Sequence, residues 1–139
     1  MSHDDVLEHV EAIVAEFNFL LIEMNLFQAG HRRVLRVLID KPGRIGLDEC
    51  AGVSRAIGNA VETLNLMEEA FTLEVSSPGL TRELSTHNDW LRCVDRNLKV
   101  STVSDDFTSL LISYNDGVLT FKNGKIVDTE DITAAKEAF

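Results

Sequence analysis

Ser76 and Ser77, followed by Pro78 and Gly79, are the residues of this chain that most resemble the makings of a reactive site. A serine becomes a nucleophile only beside a general base, and no G-x-S-x-G elbow surrounds either one. The sequence does not place His31 or His87 beside these serines, so the serines read as turn residues whose hydroxyls can bond free backbone groups. Asp40, Asp48, Glu49 and Glu74 could in principle hold a metal or act as acid and base. They show neither H-x-x-x-H nor EF-hand spacing, and helix-dipole acids and solvated faces account for them more simply. Cys50 and Cys93 are too few for a disulfide framework and form no C-x-x-C pair, so buried free thiols are expected. Tyr114, Phe107 and Phe121 could stack on bases, but aromatics on strands pack into cores by default. No catalytic residue, cofactor site, metal site or small-molecule substrate is expected.

Binding chemistry is better represented. Arg32, Arg33, Arg36, Lys41, Arg44, Arg55 and Arg82 form a cationic subset confined to the first part of the chain. Arg36 and Arg44 are expected to flank one hairpin end, with Arg55 on the helix beyond it. Arg32, Arg33, Arg36, Lys41, Arg44 and Arg55 are the candidates for RNA contact through phosphates. They are set in an acidic protein: 139 residues carry 13 Lys+Arg against 23 Asp+Glu, a net charge of −10. That balance excludes a protein that coats nucleic acid by neutralising phosphates and points to a basic or mixed-charge partner. At 45% hydrophobic and 26% charged residues, the chain is not a disordered acidic tail either. Glu23 interrupts the best apolar run, residues 19–22, far short of a membrane span. Residues 1–5 are acidic where a signal peptide would be basic, so a cytoplasmic location is expected.

Hydrophobic periodicity supplies the elements that must position these residues. Val6, Val10, Ile13, Val14 and Phe17 make a helical stripe, with Ser2 as its cap and Asp4 and Asp5 at its positive end. Leu20, Ile22, Met24 and Leu26 alternate with Leu21, Glu23 and Asn25 as a strand with one buried face. Residues 34–40 form a second strand, antiparallel to the first, with Leu35, Val37 and Ile39 on one side. Pro42 and Gly43 make a turn. A helix over residues 47–66 follows, with Leu47, Cys50, Val53, Ile57, Val61 and Leu64 on its apolar face. Its Gly52 and Gly58 are either close-packing points or tolerated surface positions. Phe71, Leu73 and Val75 mark a third strand. Beyond Ser85, a short helical turn over residues 86–94 is anchored by Trp90, Leu91 and Val94. Short strands then run at about 97–103, 107–114, 117–122 and 125–128, linked by Asn115-Asp116-Gly117 and Asn123-Gly124 turns. The expectation is an α+β protein: an N-terminal α-β-β-α-β domain over residues 1–84, then a small β-barrel over residues 85–139.

Gly43-Arg44-Ile45-Gly46 also matches the G-x-x-G backbone clamp of KH domains. That clamp lies between two helices, whereas this loop joins a strand to a helix, so a turn with a helix cap is expected. A free-standing KH-like or Sm-like module acting on non-ribosomal RNA is the alternative function.

Residues 73–84, L-E-V-S-S-P-G-L-T-R-E-L, follow L-R-V-L-I-D-K-P-G at 35–43 and L-D-E-C-A-G-V-S-R-A-I at 47–57. These three co-linear blocks resemble the bacterial ribosome maturation factor RimP family. The resemblance implies a non-enzymatic factor that binds the free or immature small ribosomal subunit and assists its assembly. It implies an SH3-like (Sm-like) C-terminal barrel that contributes to contact with a ribosomal protein of the decoding region, and leaves room for contact with 16S-type rRNA. In this reading Ser76, Ser77, Pro78, Gly79, Leu80 and Arg82 form the family signature and the turn joining the two modules. A monomer is expected. The chain departs from the family pattern at Gly46, where a Thr or Ser cap is usual, and at Thr81 and Glu83. In the second module Asp95 and Ser109 stand where glycines are frequent.

Overall fold

The computed structural model describes residues 3–67 and 69–139, so the expected cap at Ser2 lies outside the described residues. The chain divides into two compact units, Met1–Pro78 and Gly79–Phe139. In the first, α1 (His3–Glu16), β1 (Leu20–Ala29), β2 (Arg32–Asp40), α2 (Leu47–Thr63) and β3 (Phe71–Ser76) follow in order. β1 and β2 pair antiparallel, and β3 joins the other side of β2 in parallel, giving the sheet order β1-β2-β3. A parallel neighbour cannot be reached by a tight turn, and α2 is the crossover that makes it possible. Leu35, Val37 and Ile39 of β2 are fully buried, as expected, against Val6, Val10 and Val14 of α1 and Cys50, Val53, Ile57 and Val61 of α2.

Three details of this unit differ from the sequence reading, each for a local reason. The pairing of β1 slips between Leu21 and Glu23, so one residue is inserted opposite β2. The bulge changes the phase of the strand: Leu21, Met24 and Leu26 pack on the helical core, and Ile22 does not join that cluster. Second, α2 stops at Thr63, because Asn65 takes a φ of 51° and turns the chain. Leu66 is buried beyond that turn, whereas Leu47 and Leu64, at the helix ends, are exposed. Third, Phe17 lies past the end of α1, where Asn18 has a φ of 62°, and stacks on Phe19.

The second unit holds α3 (His87–Arg92), β4 (Asn97–Thr102), β5 (Asp106–Asn115), β6 (Val118–Phe121), β7 (Ile126–Asp128), a 3-10 turn (Thr129–Asp131) and β8 (Ile132–Glu137). Strand β8 went unread in the sequence, since Ile132-Thr133-Ala134-Ala135-Lys136-Glu137 offers little apolar alternation. It returns to pair with β4, so the sheet order is β7-β6-β5-β4-β8. Among the described residues β7 and β8 do not pair, and the sheet is not closed. Its core is Trp90, Cys93, Leu98, Val100, Leu111, Leu119, Phe121 and Ala135, with Leu84. Asp95 has a φ of 69°, the conformation for which glycine is suited, which gives a physical reason for the usual glycine there. Ser109 uses its side chain instead: its buried Oγ accepts the Asn123 N–H at 3.1 Å and holds the β6–β7 turn.

Adjacent residues of α2 should respond in opposite senses. A Cβ at Gly58 would meet nothing within 4 Å, so the surface-position reading holds there. Gly58→Ala should therefore stabilise the protein by about 0.5–1 kcal/mol through helix propensity. Ile57, with no exposed surface, should lose about 2–5 kcal/mol on truncation to alanine. Urea unfolding followed by far-UV circular dichroism measures both, and a Gly58→Ala midpoint below wild type would contradict the packing described.

Candidate functional site

The loop after β2 is built around Asp40, which is 3% exposed. Its Oδ1 accepts the Lys41 N–H at 2.9 Å and the Ile45 N–H at 3.1 Å. The Arg44 N–H donates to the Lys41 carbonyl at 3.1 Å, and the Gly46 N–H donates to Glu49 Oε1 at 2.9 Å. Gly43 and Arg44 take φ values of 84° and 74°, so the chain winds tightly here. The hydrogen bond from Lys41, and next that from the Gly46 backbone, hold the Glu49 carboxyl below its usual range. A G-x-x-G clamp needs backbone N–H groups free for phosphate. In this loop those of Arg44, Ile45 and Gly46 are already spent on its own closure, which makes it the strand-to-helix turn expected. Asp40, read from sequence as solvated, is instead the buried organiser of that turn.

The cationic residues do not form one face. Arg36 lies in the middle of β2, not at a hairpin end, opposite Glu74 of β3 in the parallel register. Its guanidinium donates to Glu74 Oε1 at 2.9 and 3.2 Å and lies 5.0 Å from the centre of the Phe27 ring. Lys41 is paired with Glu49 at 2.7 Å and sits over Phe19. Arg44 is on the turn just described. Arg32 and Arg33 are at the opposite end of β2, beside the Gly30 turn of the hairpin. Nine residues of strand separate the two ends by roughly 26 Å. That is about three screening lengths at physiological salt, so the two groups do not reinforce each other. Arg55 is exposed on α2. Among the described residues, Arg32, Arg33 and Arg55 make no ion pair.

The signature of residues 73–84 is divided between the two units. Leu73 and Val75 pack on the first core, and Ser76 ends β3. Ser76 and Ser77 are exposed, and among the described residues neither hydroxyl makes a hydrogen bond, so the expected backbone bonds are not formed. His87 is engaged elsewhere, its Nδ1 2.7 Å from the Tyr114 hydroxyl. Gly79 accepts the Arg82 N–H at 3.1 Å, Leu80 is exposed, and the Leu84 N–H donates to the Ala135 carbonyl at 2.8 Å.

Arg82 leads to a cluster that sequence reasoning missed. Asp89 has no exposed surface, and its carboxylate receives Arg82 Nε and Nη2 at 3.1 and 3.2 Å. It also accepts the Ser85 and Thr86 N–H groups, each at 3.1 Å, and Arg92 Nε at 3.1 Å. Thr86 caps α3 in return, its Oγ1 accepting the Asp89 N–H. Arg92 and Arg96, both buried, lie 3.7 Å from Glu137 of β8. Burial works to raise the Asp89 pKa, but the hydrogen bonds from Arg82, Ser85 and Thr86 outweigh it and the net shift is downward. The available signal was Thr86 three residues before Asp89, a capping pattern next to Trp90. Arg92 also follows Asp89 at i+3, a local pairing signal, whereas its second partner, Glu137, lies at the far end of the unit.

Two further features bear on chemistry. Cys50 and Cys93 are buried and free. Burial pushes the Cys93 thiol up to about 11 and raises that of Cys50, so neither is poised as a thiolate. Among the described residues, no three His, Cys, Asp or Glu side chains are grouped to hold a metal ion. A protein-family model described as the RimP N-terminal domain matches residues 9–81, more than half of the 139 residues.

Asp89→Asn should destabilise the second unit by about 3–5 kcal/mol, because Arg82 and Arg92 would lose a buried countercharge. The pH dependence follows from the downward shift. Stability from Asp89 is fully present above the usual aspartate value of 3.8 and is lost as pH falls through its lower folded value. Acid unfolding curves of wild type and Asp89→Asn should therefore converge below that window. Curves that stay parallel would remove Asp89 from its role.

Proposed function

This chain belongs to the RimP family of ribosome maturation factors, and on that premise we propose that it binds the free, immature small ribosomal subunit and helps it reach its functional conformation. The action is binding, without bond chemistry. The family match across residues 9–81 carries this reading. The distribution of charge supports it in detail. A net charge of −10 suits docking on a basic ribosomal protein, such as one of the decoding region. Contact with 16S-type rRNA is then confined to local cations.

Of the candidate RNA-contacting residues, Arg32 and Arg33 are the best placed. They are consecutive at the hairpin end, on opposite faces of the strand, and make no ion pair among the described residues. Arg36 and Lys41 already have carboxylate partners, and a phosphate would have to compete with these. We assign Arg44 and Arg55 at most supporting contacts. Ser76, Ser77, Pro78, Gly79 and Leu80 connect the two units in this reading, and Arg82 fixes the start of the second by holding Asp89.

For the second unit we propose an SH3-like architecture. Four strands run as a meander, and the fifth, β8, comes back beside the first after a 3-10 turn. That strand order, together with the single core the strands share, supports this reading. The protein acts in the cytoplasm and as a monomer. Two small binding units on one chain raise each other's effective concentration at a shared target.

Sucrose-gradient fractionation of a lysate tests the central statement. The protein should sediment with free small subunits and not with translating ribosomes; absence from the small-subunit fraction at low salt, with precursors accumulating, would overturn it. Arg32→Glu with Arg33→Glu should weaken that association and flatten its salt dependence by about 2 units of log–log slope. An unchanged slope would remove these arginines from the RNA contact.

A further inference from the structure

The second unit leaves one side of β7 without a partner strand among the described residues. The hydrogen-bond pattern shows which groups face that side. Phe121 N–H donates to the Lys125 carbonyl at 2.9 Å, and Thr129 N–H donates to the Gly117 carbonyl at 2.8 Å. With Leu119 opposite Val127, the ladder bonds of this antiparallel pair fall at residues 125, 127 and 129. The alternation therefore directs the backbone of Ile126 and the N–H of Asp128 away from β6.

Alongside that edge runs a groove of about 400 Å³, between β7 and the β4–β5 turn. Phe107 and Val127, both packed on the core, line it, as do Val103 and Ile126, which are 94% and 69% exposed. Asp105, Asp128 and Asp131 also line it, and Lys125 is its one cation, already bridged to Asp105. One Asp128 oxygen is occupied by the Glu130 N–H at 3.0 Å. The groove thus combines unpaired strand backbone, exposed aliphatic surface and an excess of negative charge.

We propose that the β7 edge and this groove dock an extended, cationic segment of a partner protein. The segment adds as a further strand along β7, bonding to the backbone of Ile126 and the N–H of Asp128. It lays an aliphatic side chain against Val103 and Ile126 and presents Lys or Arg to Asp128 and Asp131. Charge complementarity selects this occupant: phosphates would meet three carboxylates, and an acidic or neutral strand would gain nothing from them. The inference rests on the reading above that the protein works on a maturing subunit through a basic protein, and it specifies where on the second unit that contact is made. Because β7 has only three residues, the backbone contributes few bonds, and the aliphatic and charged contacts must supply much of the selectivity.

The test uses the full chain and three fluorescein-labelled probes: a short peptide alternating Arg and Val, one alternating Glu and Val, and an oligouridylate. Fluorescence anisotropy at low salt should show binding of the Arg-Val peptide alone. Asp131→Lys and Val103→Glu alter exposed side chains that make no internal bond, and each should weaken that binding roughly tenfold. Arg32→Glu with Arg33→Glu should leave it unchanged. Hydrogen exchange should slow at the Ile126 and Asp128 amides and not at Val127, already bonded to β6. Equal binding of the Glu-Val peptide or the oligouridylate, insensitivity to both groove variants, or protection confined to another edge would each overturn the proposal. A chain that co-sediments with small subunits but ignores the Arg-Val peptide also overturns it, while the functional reading stands. Peptide binding at β7 without co-sedimentation upholds the docking edge and removes that functional reading.

Discussion

A carboxylate taken out of water costs several kcal/mol unless donors surround it, and two such groups, Asp40 and Asp89, govern how this chain folds locally. Asp40 gathers the N–H groups of Lys41 and Ile45, which closes the turn between β2 and α2 and fixes where the helix starts. The start determines phase: with Leu47 as the first helical residue, Cys50, Val53, Ile57 and Val61 fall on the sheet. Asp89 does the same for the second unit. It gathers Ser85, Thr86, Arg82 and Arg92, so the approach to α3 and the helix itself are held from one atom group. In both places the fold spends polar groups on its own closure that a binding site would need free.

That economy accounts for the groups in this chain that look like ligand-binding devices. The glycine-flanked loop at residues 43–46 and the arginine of the signature, Arg82, look like ligand-binding devices in isolation. Each is internally satisfied, the loop by Asp40 and Glu49 and the arginine by Asp89. Arg36 and Lys41 follow the same rule with Glu74 and Glu49. What the structure leaves open among the described residues is peripheral: Arg32 and Arg33 at a hairpin end, Arg55 on α2, and outer strand edges such as that of β7.

The parts legible in the sequence were those whose signal is local. The stripes of α1 and α2, the β1–β2 hairpin and the Asp-Gly and Asn-Gly turns can be read from a dozen residues at a time. The three blocks of residues 35–43, 47–57 and 73–84 carried the family. Features created by distant partners were not legible. Nothing near Ile22 signals the bulge that turns it from the helical core, because register is set by β2. Strand β8 is recognisable only once β4 is beside it. Arg96 looks like a surface residue until Glu137 arrives from the end of the chain. The cationic residues of the first unit are dispersed for a related reason: residues close in sequence order were laid along a strand, and strand geometry spreads them over a distance that screening does not cross.

The acidic balance of the chain acquires a physical meaning from this arrangement. In a particle rich in phosphate, a net charge of −10 would oppose approach if it acted as one charge at long range. Screening limits each group to neighbours within about 8 Å, so local composition decides. The hairpin end presents Arg32 and Arg33, whereas the groove beside β7 presents Asp128 and Asp131 with exposed aliphatic carbon. On the proposed reading, two surfaces of opposite sign on one chain suit a target made of both RNA and basic protein. On the proposed reading, the excess of acid then works against general adhesion to RNA. It restricts productive contact to places where a cationic protein segment and a phosphate lie within reach of the same molecule, which is selectivity obtained by repulsion as much as by attraction.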